Sequence, residues 1–114
     1  MKIKQLNIDC YECRGDLNSP ALVGIMKSAA NKCGAKVIGS AFQKYKKYGI
    51  TAVVFLAESH ILVSTYPEIQ FAVVEIFLCN DKVDANVCWE EIKRYIRPKK
   101  IIMGEFYHDI RKKI

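Results

Sequence analysis

The chain has 114 residues, 51% of them apolar and 26% charged, with only six Gly and three Pro. This composition excludes disordered, collagen-like and low-complexity chains, and it suits one domain, 1–114, rather than two. Eighteen Lys and Arg against twelve Asp and Glu leave a net charge of +6, and the longest apolar run, Ile50 to Ala57, falls far short of the ~20 residues of a membrane helix.

Residues 2 to 9 alternate Ile3, Gln5, Asn7 and Asp9 with Lys2, Lys4, Leu6 and Ile8, which predicts a first strand. Gly15 to Asn18 reads as a turn. Ser19 then stands as an N-cap with Pro20 at the first helical position, and Leu22, Ile25, Met26, Ala29, Ala30 and Cys33 recur at helical spacing as far as Gly34. Ala35 to Phe42 and Ile50 to Ala57 are β-rich and are joined by a basic, tyrosine-bearing link, Gln43 to Gly49. His60 to Tyr66 is a further β run that stops at Pro67, and Ile69 to Leu78 is another. Asp84 caps a second helix with Cys88, Ile92, Tyr95 and Ile96 on its apolar side, and Pro98 ends it. A last strand covers Ile101 to Phe106. Both helices must cover an apolar sheet face, so the expected fold is α+β: a two-layer sandwich with a mainly antiparallel sheet under two helices. The two halves meet near Glu58-Ser59 with similar element content, which hints at an internal duplication.

Positive charge gathers at Lys44, Lys46 and Lys47, at Arg94 to Lys100, and at Arg111 to Lys113. Phosphate contacts need such clusters, but no helix-turn-helix, zinc-finger or ribonucleoprotein signature accompanies them. A solvated basic surface is the expectation, with no nucleic-acid and no membrane partner. The N-terminal residues alternate charge and apolarity and lack a secretory apolar run, so a cytoplasmic protein is expected. Five cysteines, an odd number, then argue against a disulfide framework. Cys10-Tyr11-Glu12-Cys13 has C-x-x-C spacing, but it is single and ends a strand instead of opening a helix. Two incidental cysteines and no metal are expected.

The stretch Phe55 to Glu68 carries the chemistry. Polar Glu58, Ser59 and His60 interrupt what would otherwise be one long apolar β segment, and buried polar groups need partners. A hairpin turn and a functional site both account for them. Leu56-Ala57-Glu58-Ser59-His60, then Thr65-Tyr66-Pro67-Glu68, then Phe77-Leu78-Cys79, resembles the small bacterial and archaeal S-adenosylmethionine decarboxylase proenzymes. Asp9-Cys10-Tyr11-Glu12-Cys13, Gly34-Ala35 and Tyr48-Gly49-Ile50-Thr51 extend the resemblance along nearly the whole chain.

The resemblance implies self-cleavage between Glu58 and Ser59, giving chains 1–58 and 59–114, with Ser59 converted to a pyruvoyl group. That group forms a Schiff base with the amine of S-adenosylmethionine and takes up electrons as CO₂ leaves, on the route to spermidine and other polyamines. It further implies that Cys79 reprotonates the substrate carbon, that Glu68 holds the ribose hydroxyls, that Tyr45 stacks on the adenine, and that Thr51 assists processing. A homodimer with its sites near the interface also follows. Read without the resemblance, Cys79 is a small apolar strand residue, Glu68 a loop glutamate, Tyr45 a solvent-facing link residue and Thr51 an ordinary strand threonine.

One departure from the family is serious, and two smaller ones accompany it: Lys4-Gln5-Leu6 replaces a Gly-x-His near the first strand, and Glu105 to Ile114 lacks the usual Arg-Gly. Where relatives have a histidine five residues after the motif serine, expected to act as the base in processing, this chain has Ser64. A hydroxyl is a far weaker base, and losing a general base costs on the order of 10²–10⁴-fold in rate. His60 lies four residues from Ser64, roughly 13 Å along an extended strand. His108 reaches the site only if the last strand folds back beside it. An unprocessed, inactive or regulatory relative is therefore one alternative, and a pyruvoyl decarboxylase of another amino acid is a second.

Overall fold

The computed structural model describes residues 1–79 and 83–111, so Lys112 and Lys113 of the C-terminal basic cluster lie outside the described residues. Along the chain come β1 (Lys2–Tyr11), α1 (Ala21–Lys32), β2 (Val37–Lys44), β3 (Ile50–Leu56) and β4 (Ser59–Tyr66). A 3-10 turn (Pro67–Ile69), β5 (Phe71–Cys79), α2 (Ala85–Ile96) and β6 (Lys100–Asp109) follow. The strands form a six-stranded sheet in the order β2-β3-β4-β5-β1-β6, with every neighbouring pair antiparallel. The expected two-layer sandwich is the observed fold. The hinted duplication is not visible in the topology, because β1 of the first half inserts between β5 and β6 of the second.

Period-two alternation sorts the sheet into two faces. Leu6, Ile8 and Cys10 of β1, Ala52 and Val54 of β3, Ile61 and Val63 of β4, and Ala72 to Leu78 of β5 at every second residue are buried. Against them pack Leu22, Met26, Ala29 and Ala30 of α1 and Cys88, Trp89, Ile92 and Ile96 of α2, all in one core cluster. Each helix therefore buries one stripe at i, i+3, i+4 and i+7 spacing, and the apolar area removed from water holds the two layers together. The other face carries Val53, Phe55, Leu62, Val73, Phe77, Ile102 and Phe106, which stay half-buried or exposed, and no described element covers it.

The caps define the helices with one shift from expectation. Helix α1 begins at Ala21, so Pro20 takes the cap position and not the first helical one. Ser19 still contributes, its Oγ accepting from Ala21 N–H at 3.1 Å. Gly34, at φ 93°, ends the helix, with Ala35 N–H donating to the Ala30 carbonyl and Gly34 N–H to that of Asn31. That is a Schellman motif, and it requires the left-handed conformation that glycine adopts most easily. At α2 the Asp84 side chain accepts from Asn86 N–H as expected. The last strand runs longer than its sequence pattern, because β6 pairs with β1 from Lys2–Asp109 to Tyr11–Lys100.

Candidate active site

The β3–β4 hairpin closes at the Leu56–Ser59 pair, leaving Ala57 and Glu58 as its two loop residues. Glu58 sits at φ 63°, in the left-handed region. A non-glycine residue there stores roughly 1–3 kcal/mol of backbone strain. The next residue, Ser59, opens β4 in the register of Ile61, Val63 and Thr65, the helix-covered face. Its Oγ accepts a hydrogen bond from Cys79 N–H at 3.2 Å. An N–H donating to this oxygen favours the alkoxide over the hydroxyl, which is the polarity a nucleophile needs. A cavity of about 450 Å³ opens beside the turn, its walls including Gly34, Lys36, Glu58, Ser59, Cys79 and Val83. The structure thus brings Glu58, Ser59 and the Cys79 backbone together, while the Cys79 side chain falls in the register of Glu75 and Phe77 on the uncovered face.

A second group gathers at the other end of β4. Thr51 pairs with Ser64 across the β3–β4 ladder, and their hydroxyl oxygens lie 3.4 Å apart. The Tyr45 hydroxyl lies 2.8 Å from Thr51 Oγ1, which completes a chain of three hydroxyls and fixes the tyrosine ring, 48% exposed, beside the sheet. Glu68 stands exposed in the 3-10 turn that follows β4. Ser59 and Ser64 are therefore five residues apart on one strand, roughly 17 Å. Within a single chain the two groups do not meet.

Neither histidine stands beside Ser64. His60 lies on the uncovered face, its Nε2 2.7 Å from Glu75 Oε2 and its ring stacked on Phe77 at 4.9 Å. The last strand does fold back. His108 flanks the other side of Phe77 at 5.6 Å and lies 2.8 Å from Gln5 Oε1. Gln5 Nε2 in turn donates to Asn7 Oδ1 at 3.2 Å and reaches Glu75 Oε1 at 3.5 Å. This polar network left no local signature, because it joins β1, β4, β5 and β6.

Cys10 and Cys13 are buried, and burial pushes their thiols up to about 12 and about 11. Such groups stay protonated and are poor metal ligands. Among the described residues no cluster of His, Cys, Asp or Glu could hold a metal ion.

Fold and site together define a class: an α+β sandwich with a serine held at a strained hairpin beside a strand-end cysteine. The family model described as S-adenosylmethionine decarboxylase matches residues 4–108. The chain belongs to the S-adenosylmethionine decarboxylase family. It is 31% identical over 104 residues to the S-adenosylmethionine decarboxylase proenzyme of Thermotoga petrophila, covering 90% of this chain and 80% of that one. The proenzyme of the same name from Methanococcus maripaludis is 29% identical over 100 residues, covering 86% and 82%. Among solved structures, the adenosylmethionine decarboxylase of Aquifex aeolicus superposes with a TM-score of 0.82 over 98% of this chain and 95% of that one. At 23% identity that likeness speaks for the fold.

Proposed function

We propose that this chain is an S-adenosylmethionine decarboxylase proenzyme that matures by cutting itself between Glu58 and Ser59. The observation that carries this is the scissile peptide itself, which leaves a left-handed Glu58 and enters a serine whose Oγ is engaged by Cys79 N–H. In the proposed step Ser59 Oγ attacks the Glu58 carbonyl carbon, and the acyl group moves from nitrogen to oxygen as the peptide C–N bond breaks. β-Elimination then breaks the ester C–O bond, giving 1–58 with a free carboxylate and a dehydroalanine at 59. Water converts the dehydroalanine to a pyruvoyl group with release of ammonia. Strain at Glu58 favours the first step, since the shift frees the residue from its left-handed state.

The residues fit that group. Ser59 lies at the mouth of a cavity with Cys79 beside it, and the pyruvoyl carbonyl supplies an electron sink for loss of CO₂ without an external cofactor. Cys79 returns a proton to the substrate carbon. Tyr45 and Glu68 hold the nucleoside, by stacking and by accepting from ribose hydroxyls, and Thr51 and Ser64 complete that end with hydroxyls.

Because the two groups lie roughly 17 Å apart on β4, the working site needs a second copy of the chain. The uncovered sheet face supports this, since Phe55, Tyr66 and Phe106 are 46%, 46% and 49% exposed on it and such a patch marks an interface. A two-fold axis lying across the strands lays one β4 over the other in reverse. That sets the Ser59 end of each chain against the Ser64 end of its partner, giving two sites per dimer.

The intact mass of fresh and aged protein under denaturing conditions tests the reading. Fragments 1–58 and 59–114 are expected, the second lighter by one ammonia than hydrolysis gives. They should be absent from Ser59→Ala, and the processed protein should release CO₂ from S-adenosylmethionine. A chain that never splits sinks the reading in favour of an unprocessed relative, and processed protein active only on another amino acid replaces the substrate.

A further inference from the structure

The link between β2 and β3 carries Tyr45, yet residues 43–48 are exposed. Gln43 and Lys44 still belong to the β2–β3 ladder, and beyond it the link's own bonds are Tyr45 N–H to the Gly49 carbonyl at 2.9 Å, the Tyr45 hydroxyl 2.8 Å from Thr51 Oγ1 and Gln43 to the Lys44 carbonyl. The hydroxyl contact holds the far end of the ring, and the backbone of the exposed residues 45–48 needs a further hold to keep one position. What holds it comes from elsewhere in the chain. Asn18 Oδ1 accepts from Gly49 N–H at 2.9 Å and from Lys44 Nζ at 2.9 Å. Lys44 Nζ also donates to the Asn18 carbonyl at 3.0 Å. One side chain thus grips both ends of the link that presents Tyr45.

The grip is anchored at its base. Leu17, beside Asn18, accepts through its carbonyl from Thr65 Oγ1 at 2.7 Å, and Thr65 Oγ1 accepts from Ile50 N–H at 2.9 Å. Thr65 is 3% exposed and adjoins Ser64, so the loop that carries Asn18 is tied to β3 and β4 at the nucleoside end. Its other side is pinned by Cys13 N–H to the Gln70 carbonyl, by Arg14 N–H to that of Arg97 and by Gly15 N–H to that of Ile96. Gly15 leaves no room for a Cβ against the Tyr95 and Ile96 backbone. The loop therefore transmits a fixed position instead of moving with the link.

We propose that Asn18 is a positioning residue for substrate recognition, setting where Tyr45 stands through the two acceptor bonds of Oδ1 without touching the substrate. This rests on the reading that Tyr45 serves the nucleoside. Both bonds are accepted by one oxygen, so the chemistry separates two substitutions sharply. Asn18→Asp keeps the acceptor and adds a charge opposite Lys44, whereas Asn18→Ala removes both bonds and leaves the Gly49 N–H without its partner.

The test uses processed full-length protein. Asn18→Ala is expected to raise KM for S-adenosylmethionine about tenfold, the scale of a lost hydrogen-bond pair, while kcat and the extent of self-cleavage change little. Asn18→Asp should restore KM. Amide hydrogen exchange supplies a readout independent of activity: Gly49 N–H should exchange faster in Asn18→Ala and stay protected in Asn18→Asp. An unchanged KM in Asn18→Ala, with unchanged exchange at Gly49, overturns the proposal, as does equal behaviour of the two variants. Tyr45→Ala separates the underlying reading: if it leaves KM unaltered, Tyr45 does not serve the nucleoside, and the exchange data alone then decide whether Asn18 holds the link.

Discussion

Glu58 occupies a conformation that glycine adopts freely and other residues do not. If that strain drives maturation, replacing the residue by glycine separates stability from processing. In a Ser59→Ala background, Glu58→Gly should stabilise the intact fold by about 1 kcal/mol, read as a higher midpoint in urea. With Ser59 present, the same change should slow the appearance of fragment 59–114. Faster cleavage in Glu58→Gly would show that strain is not the driving element. Ser64 poses the complementary question, because its near partner is the Thr51 hydroxyl at 3.4 Å and a hydroxyl pair offers no strong base. Ser64→His should speed self-cleavage by a factor on the order of 10²–10⁴, followed by intact mass over time. An unaltered rate would mean that another group already supplies the base.

At the scale of elements, the two helices are held by a few large side chains. Trp89 is 3% exposed and Ile92 fully buried in the core cluster under the sheet. Truncating Ile92 to Ala should cost about 2–5 kcal/mol, through lost burial and the cavity left behind, and denaturant melts of the Ser59→Ala chain would measure it. A loss below 1 kcal/mol would mean that α2 collapses onto the sheet without it. This layer was legible in the sequence, because the spacing of Leu22, Met26 and Ala29, or of Cys88, Ile92 and Ile96, depends only on helix geometry. Strand ends were less legible. Ile69 joins a 3-10 turn instead of opening β5, and residues 107–109 extend β6 because β1 offers them partners. The candidate site residues could be named from the sequence but not sorted into two groups, since the separation of Ser59 from Ser64 follows from the ladder. Asn18 and Thr65 passed for a turn residue and a motif residue, because their partners lie 31 and 48 positions away.

The whole molecule adds a constraint that no single residue carries. Ser59 and Cys79 stand at one end of the sheet, and Thr51, Ser64 and Tyr45 at the other, so on the proposed function a lone chain holds two half-sites. If pairing through the uncovered face completes them, each site draws Ser59 from one chain and Glu68 from its partner. A chain with Ser59→Ala and a chain with Glu68→Gln should each be inactive alone, for different reasons. Mixed by co-expression, they form some dimers in which one site inherits both substitutions and the other inherits neither. Activity should then return to roughly a quarter of the unaltered level, since about half the dimers are mixed and each carries one intact site. Fragment 59–114 should come only from the chain that keeps its serine. If the site lies within one chain, every dimer still pairs a broken serine or a broken carboxylate with itself, and mixing restores nothing. Recovery of activity would therefore locate the catalytic centre between copies, and its absence would require the ends of one β4 to come together by a rearrangement that the antiparallel ladder opposes.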